Sequence, residues 1–264
     1  MTVRRRVGPR QLHALVESLS AQDHHVLEVI TDFRLVTGAQ ILRLFFHDRG
    51  ESGARAGRRS LERFVRLGLV NRLERRIGGV RAGSSSFIYS LDTLGQRVLN
   101  LNRPRRRLEE PSAAFVNHTL AIVDLFVDLT EAARTSDGVE VLGYETEPDC
   151  WRRFRRVDGE HVLRPDLYVR IGVGELEYRW FIEVDRATEH LPAIIRKSTT
   201  YHDYYHCGVE QDRSGSFPRV LWATTTDRRA DAIAAALSAT TLTTQIFRVD
   251  RLETAARTLT EPRQ

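Results

Sequence analysis

Residues 163–205 read LRPDLYVRIGVGELEYRWFIEVDRATEHLPAIIRKSTTYHDYY, and the fold is decided in this stretch. Leu167 to Val173 is rich in β-branched and aromatic residues, which predicts a strand. A Gly-and-Glu turn from Gly172 to Glu177 leads into a second predicted strand, Tyr178 to Val184, so the pair reads as a hairpin. Side chains along a strand alternate between faces. Glu183 and Asp185 therefore point one way, with Phe181 behind them. Trp180, Ile182 and Val184 point the other way, into a core. Asp166 stands at the mouth of the first strand, directly after Pro165. A helix from Pro192 to His206 follows, with its proline near the first turn. It places Lys197 on one face with Tyr201 and Tyr204.

Three carboxylates at one sheet edge repel each other unless a positive charge sits among them. A divalent cation such as Mg²⁺ takes one or two carboxylates, keeps several waters and binds phosphate oxygens. Held there, it polarises a phosphodiester and activates a water. Asp166, Glu183 and Asp185 are thus candidate ligands for Mg²⁺ or Mn²⁺, and with Lys197 they are the candidate catalytic set. Composition singles out Lys197: of the Lys+Arg total of 40 it is the one lysine, every other basic residue being arginine. An ammonium is a compact charge with a tunable pKa, and a guanidinium is neither. The bland alternative is a solvated strand end with ordinary surface acids and a lysine retained by chance. A rival metal reading pairs His202 with His206 at i, i+4, beside Cys207 and with Cys150 elsewhere, as Zn²⁺ ligands. No Cys-x-x-Cys supports it.

The 264 residues suffice for two modest domains or one large one, and 41% hydrophobic with 28% charged residues describes a soluble globular chain. No apolar run reaches bilayer-spanning length, so no membrane role is expected. The basic start MTVRRRVGPR lacks the apolar stretch of a secretory signal, and two cysteines are too few for a disulfide scaffold. A cytoplasmic location is the expectation. Charge divides along the chain: residues 1–110 hold 21 Arg against 11 acids, net +10, and the remainder 19 basic against 24 acidic residues, net −5. A basic first part suits a polyanion. A more acidic second part suits a cation or a protein.

Residues 1–19, with Arg4, Arg5, Arg6 and Arg10, read as a basic arm or a solvated tail. Ser20 and Asp23 make a capping-box-like start to a helix with Val26, Leu27 and Ile30 on its apolar face. Thr37-Gly38 introduces a second helix, Ala39 to Phe46. A third, from about Gly57 to Leu67, points Leu61, Phe64 and Val65 inward and aligns Arg59, Arg63 and Arg66 outward. Leu69 to Arg76 and Ser86 to Leu91 read as strands about a glycine-rich turn, and Asp92 caps a closing helix to Leu101. Three helices and a hairpin over residues 20–101, with Leu67-Gly68-Leu69-Val70 at the turn, resemble a winged helix-turn-helix domain. That resemblance implies a third helix in the major groove of double-stranded DNA and a wing along its backbone. Candidate DNA contacts are Arg55, Arg58, Arg59, Arg63, Arg66, Arg72, Arg75, Arg76 and Arg81. The alternative is a protein-contact module with a solvated arginine face.

Residues 102–112 form a Pro- and charge-rich linker, and 113–264 a second domain. A long amphipathic helix, Phe115 to Arg134, opens it and carries Asp124, Asp128 and Glu131. A strand at Val139–Glu145, the hairpin, its helix, a buried strand RVLWATT, a helix from Asp227 and a strand at Thr244–Val249 complete the order. Pro165-Asp166 followed by Glu183-Val184-Asp185 resembles the PD-(D/E)xK nuclease superfamily, which implies an α/β restriction-endonuclease-like fold. That superfamily usually places a lysine two residues after the second acid, where this chain has Asp185. The resemblance implies that Lys197 supplies the ammonium from the next helix.

Winged helix, linker and nuclease-like domain together resemble the replication-relaxation family of plasmids, phages and mobile elements. The resemblance implies DNA as partner, with other replication or mobilisation proteins, and leaves a homodimer open. Two functions stay in play: a Mg²⁺-dependent DNA endonuclease or nickase, and a non-catalytic DNA-binding regulator or scaffold with a degenerate nuclease fold.

Overall fold

The computed structural model describes residues 7–73, 87–99, 111–187, 189–242 and 244–261. Arg4, Arg5, Arg6, Arg75, Arg76, Arg81 and all but the last two linker residues lie outside them. The architecture is mixed α+β, in two compact units, residues 1–123 and 124–264.

The first unit is helical with a small antiparallel sheet. α1 (Pro9–Glu17) falls inside the expected arm and packs against a later helix. α2 (Ala21–Phe33) starts at Ser20, whose side chain accepts from the Asp23 amide while Asp23 accepts from the Ser20 amide, the expected reciprocal cap. β1 (Val36–Thr37) leads to α3 (Gly38–Phe45), capped in the same way by Thr37 and Gln40. α4 (Gly50–Leu67) begins well before the expected Gly57. Its small residues serve packing: a Cβ on Gly57 would lie 2.2 Å from Leu42 of α3, so only glycine lets the two helices approach this closely. Gly68, at φ +75°, then turns the chain into β2 (Val70–Leu73), which pairs with β3 (Ile88–Leu91) before α5 (Thr93–Val98). The sheet order is β1-β3-β2.

α6 (Ala113–Thr135) crosses the division between the units, which therefore falls inside this helix and not at the linker. Its first half belongs to the first unit: Leu120 packs with Leu35 and Ile88, and its carbonyl accepts from the Gln40 amide side chain at 3.0 Å. By length and composition alone α6 could span a bilayer, contrary to the expectation from sequence. Val123, Leu125, Val127 and Leu129 are nevertheless buried in this fold, so their apolarity has a core to serve.

The second unit is built on a five-stranded mixed sheet in the order β10-β9-β8-β7-β4. β4 (Val139–Thr146) is followed by a separate two-stranded sheet, β5 (Arg152–Arg156) and β6 (Gly159–Leu163), which the sequence reading lacked. β7 (Leu167–Val173) and β8 (Leu176–Asp185) form the expected hairpin. α7 (Leu191–Cys207) and the short α8 (Val209–Ser214) lead to β9 (Arg219–Thr224), parallel to β8. α9 (Asp227–Ser238) connects to β10 (Phe247–Arg251), parallel to β9, and α10 (Leu252–Thr260) closes the unit.

Trp180 to Asp185 are all buried, because β8 is central and covered on both faces. Tyr168, Phe181 and Trp222 pack under Ile194, Tyr201 and Tyr204 of α7 and Ile233 of α9. On the opposite face, Tyr144 stands beside Val169 in register and stacks on Phe126 of α6 at 4.6 Å, and α10 contacts β7 and β9.

A carboxylate–lysine cluster and an arginine helix

Asp166 is placed by the β7–β8 ladder. Its amide donates to the Ile182 carbonyl at 3.1 Å, and its Oδ2 accepts from the Val184 amide at 2.7 Å. Cys150 Sγ donates to the adjacent Pro165 carbonyl at 3.0 Å and pins the turn from behind. Pairing across the ladder brings Asp166 next to Glu183, which is 1% exposed on the α7 face.

Lys197 reaches both acids. Its Nζ donates to Glu183 Oε2 and lies 4.0 Å from Asp166 Oδ1. Tyr201, one turn on, donates its hydroxyl to Glu183 Oε1 at 2.6 Å. Burial pushes the Glu183 carboxyl from its ordinary 4.5 up to about 8; Lys197 pulls against this shift and Asp166 adds to it. Burial by itself would lower the Lys197 ammonium, but Glu183 and Asp166 hold it above its usual range. Lys197 is therefore a fixed cation at neutral pH and no general base. It keeps solvent access through an open cleft of about 370 Å³, shared with Glu147, Val162, Leu163, Arg164 and Thr200.

Asp185 has a different set of partners. Its Oδ2 accepts from Arg229 Nε at 2.6 Å and from the Thr224 hydroxyl at 3.4 Å, and its Oδ1 from the Ala187 amide at 3.1 Å. The expected trio of acids is thus an Asp166–Glu183 pair beside a separately neutralised Asp185. Among the described residues no three His, Cys, Asp or Glu side chains gather to hold a metal. His202 and His206 stack edge-on at 4.4 Å, while Cys150 and Cys207 each donate to a backbone carbonyl. Carboxylate oxygens of the kind a hard cation takes stand together at Asp166 and Glu183, with Lys197 between them and the cleft.

Sequence reasoning placed Tyr201 on the right helical face but missed its bond to Glu183. It missed Arg229 altogether, since that residue lies 44 positions from Asp185 on another helix. It also missed a second buried set: Arg152 bonds Glu145 at 2.8 Å and Glu210 at 3.3 Å, and Tyr204 donates to Glu210.

In the first unit, Arg55, Arg58, Arg59 and Arg66 of α4 are exposed, together with Glu62. Arg55 pairs with Glu51 at 2.9 Å. Among the described residues Arg58, Arg59 and Arg66 have no carboxylate partner. Arg63 differs from its neighbours: its Nη2 sits 2.5 Å from Asp23 Oδ2, so it fastens α4 to α2. Burial would raise the Asp23 carboxyl, but the bonds from Arg63, Ser20 and Ser60 hold it below its ordinary value. Arg72 on β2 lies over the Phe87 ring at 4.0 Å.

No curated protein and no solved structure gives a significant match to the chain. The family model described as Replication-relaxation matches residues 27–220, from α2 to the start of β9. With most of the first unit and the whole carboxylate–lysine cluster inside that span, the chain belongs to the replication-relaxation family.

Proposed function

We propose that this protein binds double-stranded DNA through a winged helix-turn-helix first unit and cleaves a phosphodiester at the Asp166–Glu183–Lys197 cluster, in a second unit of the restriction-endonuclease type. The observation that carries this reading is Lys197. The one lysine of the chain comes from α7 to within reach of both acids, beside an open cleft. The helix order and the β1-β3-β2 sheet of the first unit support the winged-helix reading, with Arg58, Arg59 and Arg66 of α4 toward the groove.

Asp166 and Glu183 would hold Mg²⁺ or Mn²⁺, which when bound polarises the phosphate and lowers the pKa of a water. The chain's own contribution is positional and electrostatic. The Val184 amide fixes Asp166, and Tyr201 fixes Glu183. Lys197 presents a permanent positive charge where negative charge grows on the non-bridging oxygens. Asp185, held by Arg229, keeps the end of β8 in place.

A second reading has its own support. Lys197 already pairs with Glu183 and Arg229 with Asp185, as in a structural node, and this suits a non-catalytic regulator. Incubation with supercoiled and linear DNA under Mg²⁺ or Mn²⁺ decides between them. Nicked or linear product, absent with EDTA and absent in Asp166→Asn, is expected. Intact DNA in every form with either metal would leave the regulator.

A further inference from the structure

The β5–β6 hairpin lies outside every DNA contact expected from the sequence, in the part of the chain whose net charge is negative. Residues 151–164 read WRRFRRVDGEHVLR, with five arginines against Asp158 and Glu160. The structure divides those arginines in two. Arg152 and Arg156 root the hairpin: Arg152 is buried between Glu145 and Glu210 and lies over the Tyr168 ring at 4.9 Å, and Arg156 pairs with Asp203 of α7. Phe154, on the same face, stacks on Tyr204 of α7 at 5.2 Å. Alternation then turns Arg153 and Arg155 to the solvent side, where both are exposed. Among the described residues neither has a carboxylate partner, although Glu160 stands opposite Arg155 in register. A rooted strand that holds two unpaired guanidinium groups outward costs little further ordering when an anion arrives.

Position gives the hairpin its meaning. Arg153 pairs in register with Val162, and Val162, Leu163 and Arg164 form one wall of the cleft that Lys197 opens into. Arg164 is exposed, with its guanidinium 4.8 Å over the Trp151 ring. The unpaired charges thus run from the cleft rim toward the hairpin tip at Val157, which is fully exposed. A row of charges leading to one fixed ammonium suits a chain of phosphates. A small anion would need only the cleft itself.

We propose that the β5–β6 hairpin is a second DNA-backbone contact, in which Arg153, Arg155 and Arg164 grip phosphates of the strand whose phosphodiester lies at Lys197. The proposal rests on the reading of the cluster as a phosphodiester site, but its test needs no cleavage. The full chain carrying Glu183→Gln, in EDTA, is titrated with a labelled duplex of about 30 base pairs, and separately with one of its strands, across a salt series. Arg153→Ala with Arg155→Ala is expected to flatten the duplex salt slope by about 1.8, or about 0.9 per phosphate contact. Affinity falls about tenfold per contact near 0.1 M salt on the same relation. A larger effect on the single strand than on the duplex would assign the hairpin to unpaired DNA within the same proposal. A photo-crosslinking residue in place of Val157, on an otherwise native hairpin, is expected to transfer to the labelled DNA, so the result does not depend on removing arginines. An unchanged salt slope or no transfer to DNA overturns the proposal, and binding of polyglutamate lost in the double variant would give the hairpin to an acidic protein instead. A flattened slope in a protein that never cleaves DNA would sink the nuclease reading and leave this contact standing.

Discussion

Glu183→Gln tests the electrostatics of the cluster without reference to DNA. Burial sets the Glu183 carboxyl at about 8 in the folded protein, against 4.5 ordinarily. A carboxyl raised on folding binds its proton more tightly in the folded state. Its contribution to stability is fully present below 4.5 and is lost as pH rises through 8. Between pH 6 and pH 9 the unfolded chain holds no proton on this group, whereas the folded chain gives one up. At roughly 1.4 kcal/mol per pH unit below the folded value, the wild type loses about 2 to 3 kcal/mol across that interval. Glutamine has the shape of the neutral acid and keeps a bond to Tyr201, so the variant lacks this loss. The two proteins should be closest in stability below pH 4.5, and the variant's lead should widen by about 2 to 3 kcal/mol between pH 6 and pH 9. Urea unfolding followed by tryptophan fluorescence reads the right unit, because Trp151, Trp180 and Trp222 all lie in it. Other titrating groups are common to both proteins and cancel in the difference. Parallel stability–pH curves from 6 to 9 would refute the argument. They would mean that Lys197 keeps Glu183 ionised throughout.

Two further outcomes are expected. Lys197→Met removes the cation from a buried acid, which then takes a proton; stability should fall by about 1 to 3 kcal/mol at pH 8 and less at pH 5, with cleavage lost, and Lys197→Arg should restore stability better than cleavage. Equal cleavage by wild type and Lys197→Met would end the role given to this lysine. Arg59→Ala with Arg66→Ala should flatten the duplex salt slope by about 1.8, whereas Arg63→Ala should chiefly lower the thermal midpoint, since its partner is Asp23. Identical slopes for wild type and the α4 double variant would move DNA contact off that helix.

What could be read from sequence was what is local. The β7–β8 hairpin follows from alternation and a glycine turn, so the faces of Glu183 and Phe181 were legible. The α7 face followed from helical period and brought Lys197 and Tyr201 together in advance. Partners supplied by distant segments were not legible: Arg229 for Asp185 and Asp23 for Arg63 carry no local pattern. The β5–β6 hairpin had a signal, the Asp158-Gly159 pair at its tight loop, but arginine-rich strands lack the β-branched character by which strands are recognised. α4 began early for a similar reason. Its first turns are Gly- and Ala-rich and resemble a loop, and only contact with α3 rewards small residues there.

The separate neutralisation of Asp185 changes what the cluster can do. With Glu183 protonated, Asp166 and Lys197 balance and the site carries no net charge. With Glu183 ionised, the net charge is −1, and Asp185 adds nothing because Arg229 cancels it. A cation therefore meets its full electrostatic attraction only as Glu183 gives up a proton, and the binding of one is linked to the release of the other. Two shared carboxylates also leave most of a divalent ion's coordination to water and phosphate. Tight metal binding by the protein alone is not what such a site provides. On the proposed reading its affinity would be completed by an anionic ligand in the cleft that Arg164 and Lys197 line. In this arrangement a lysine on a helix has a property that one fixed in the strand lacks. On the proposed reading, Lys197 would stay bonded to Glu183 while no ligand is bound and turn its ammonium toward a phosphate in the cleft.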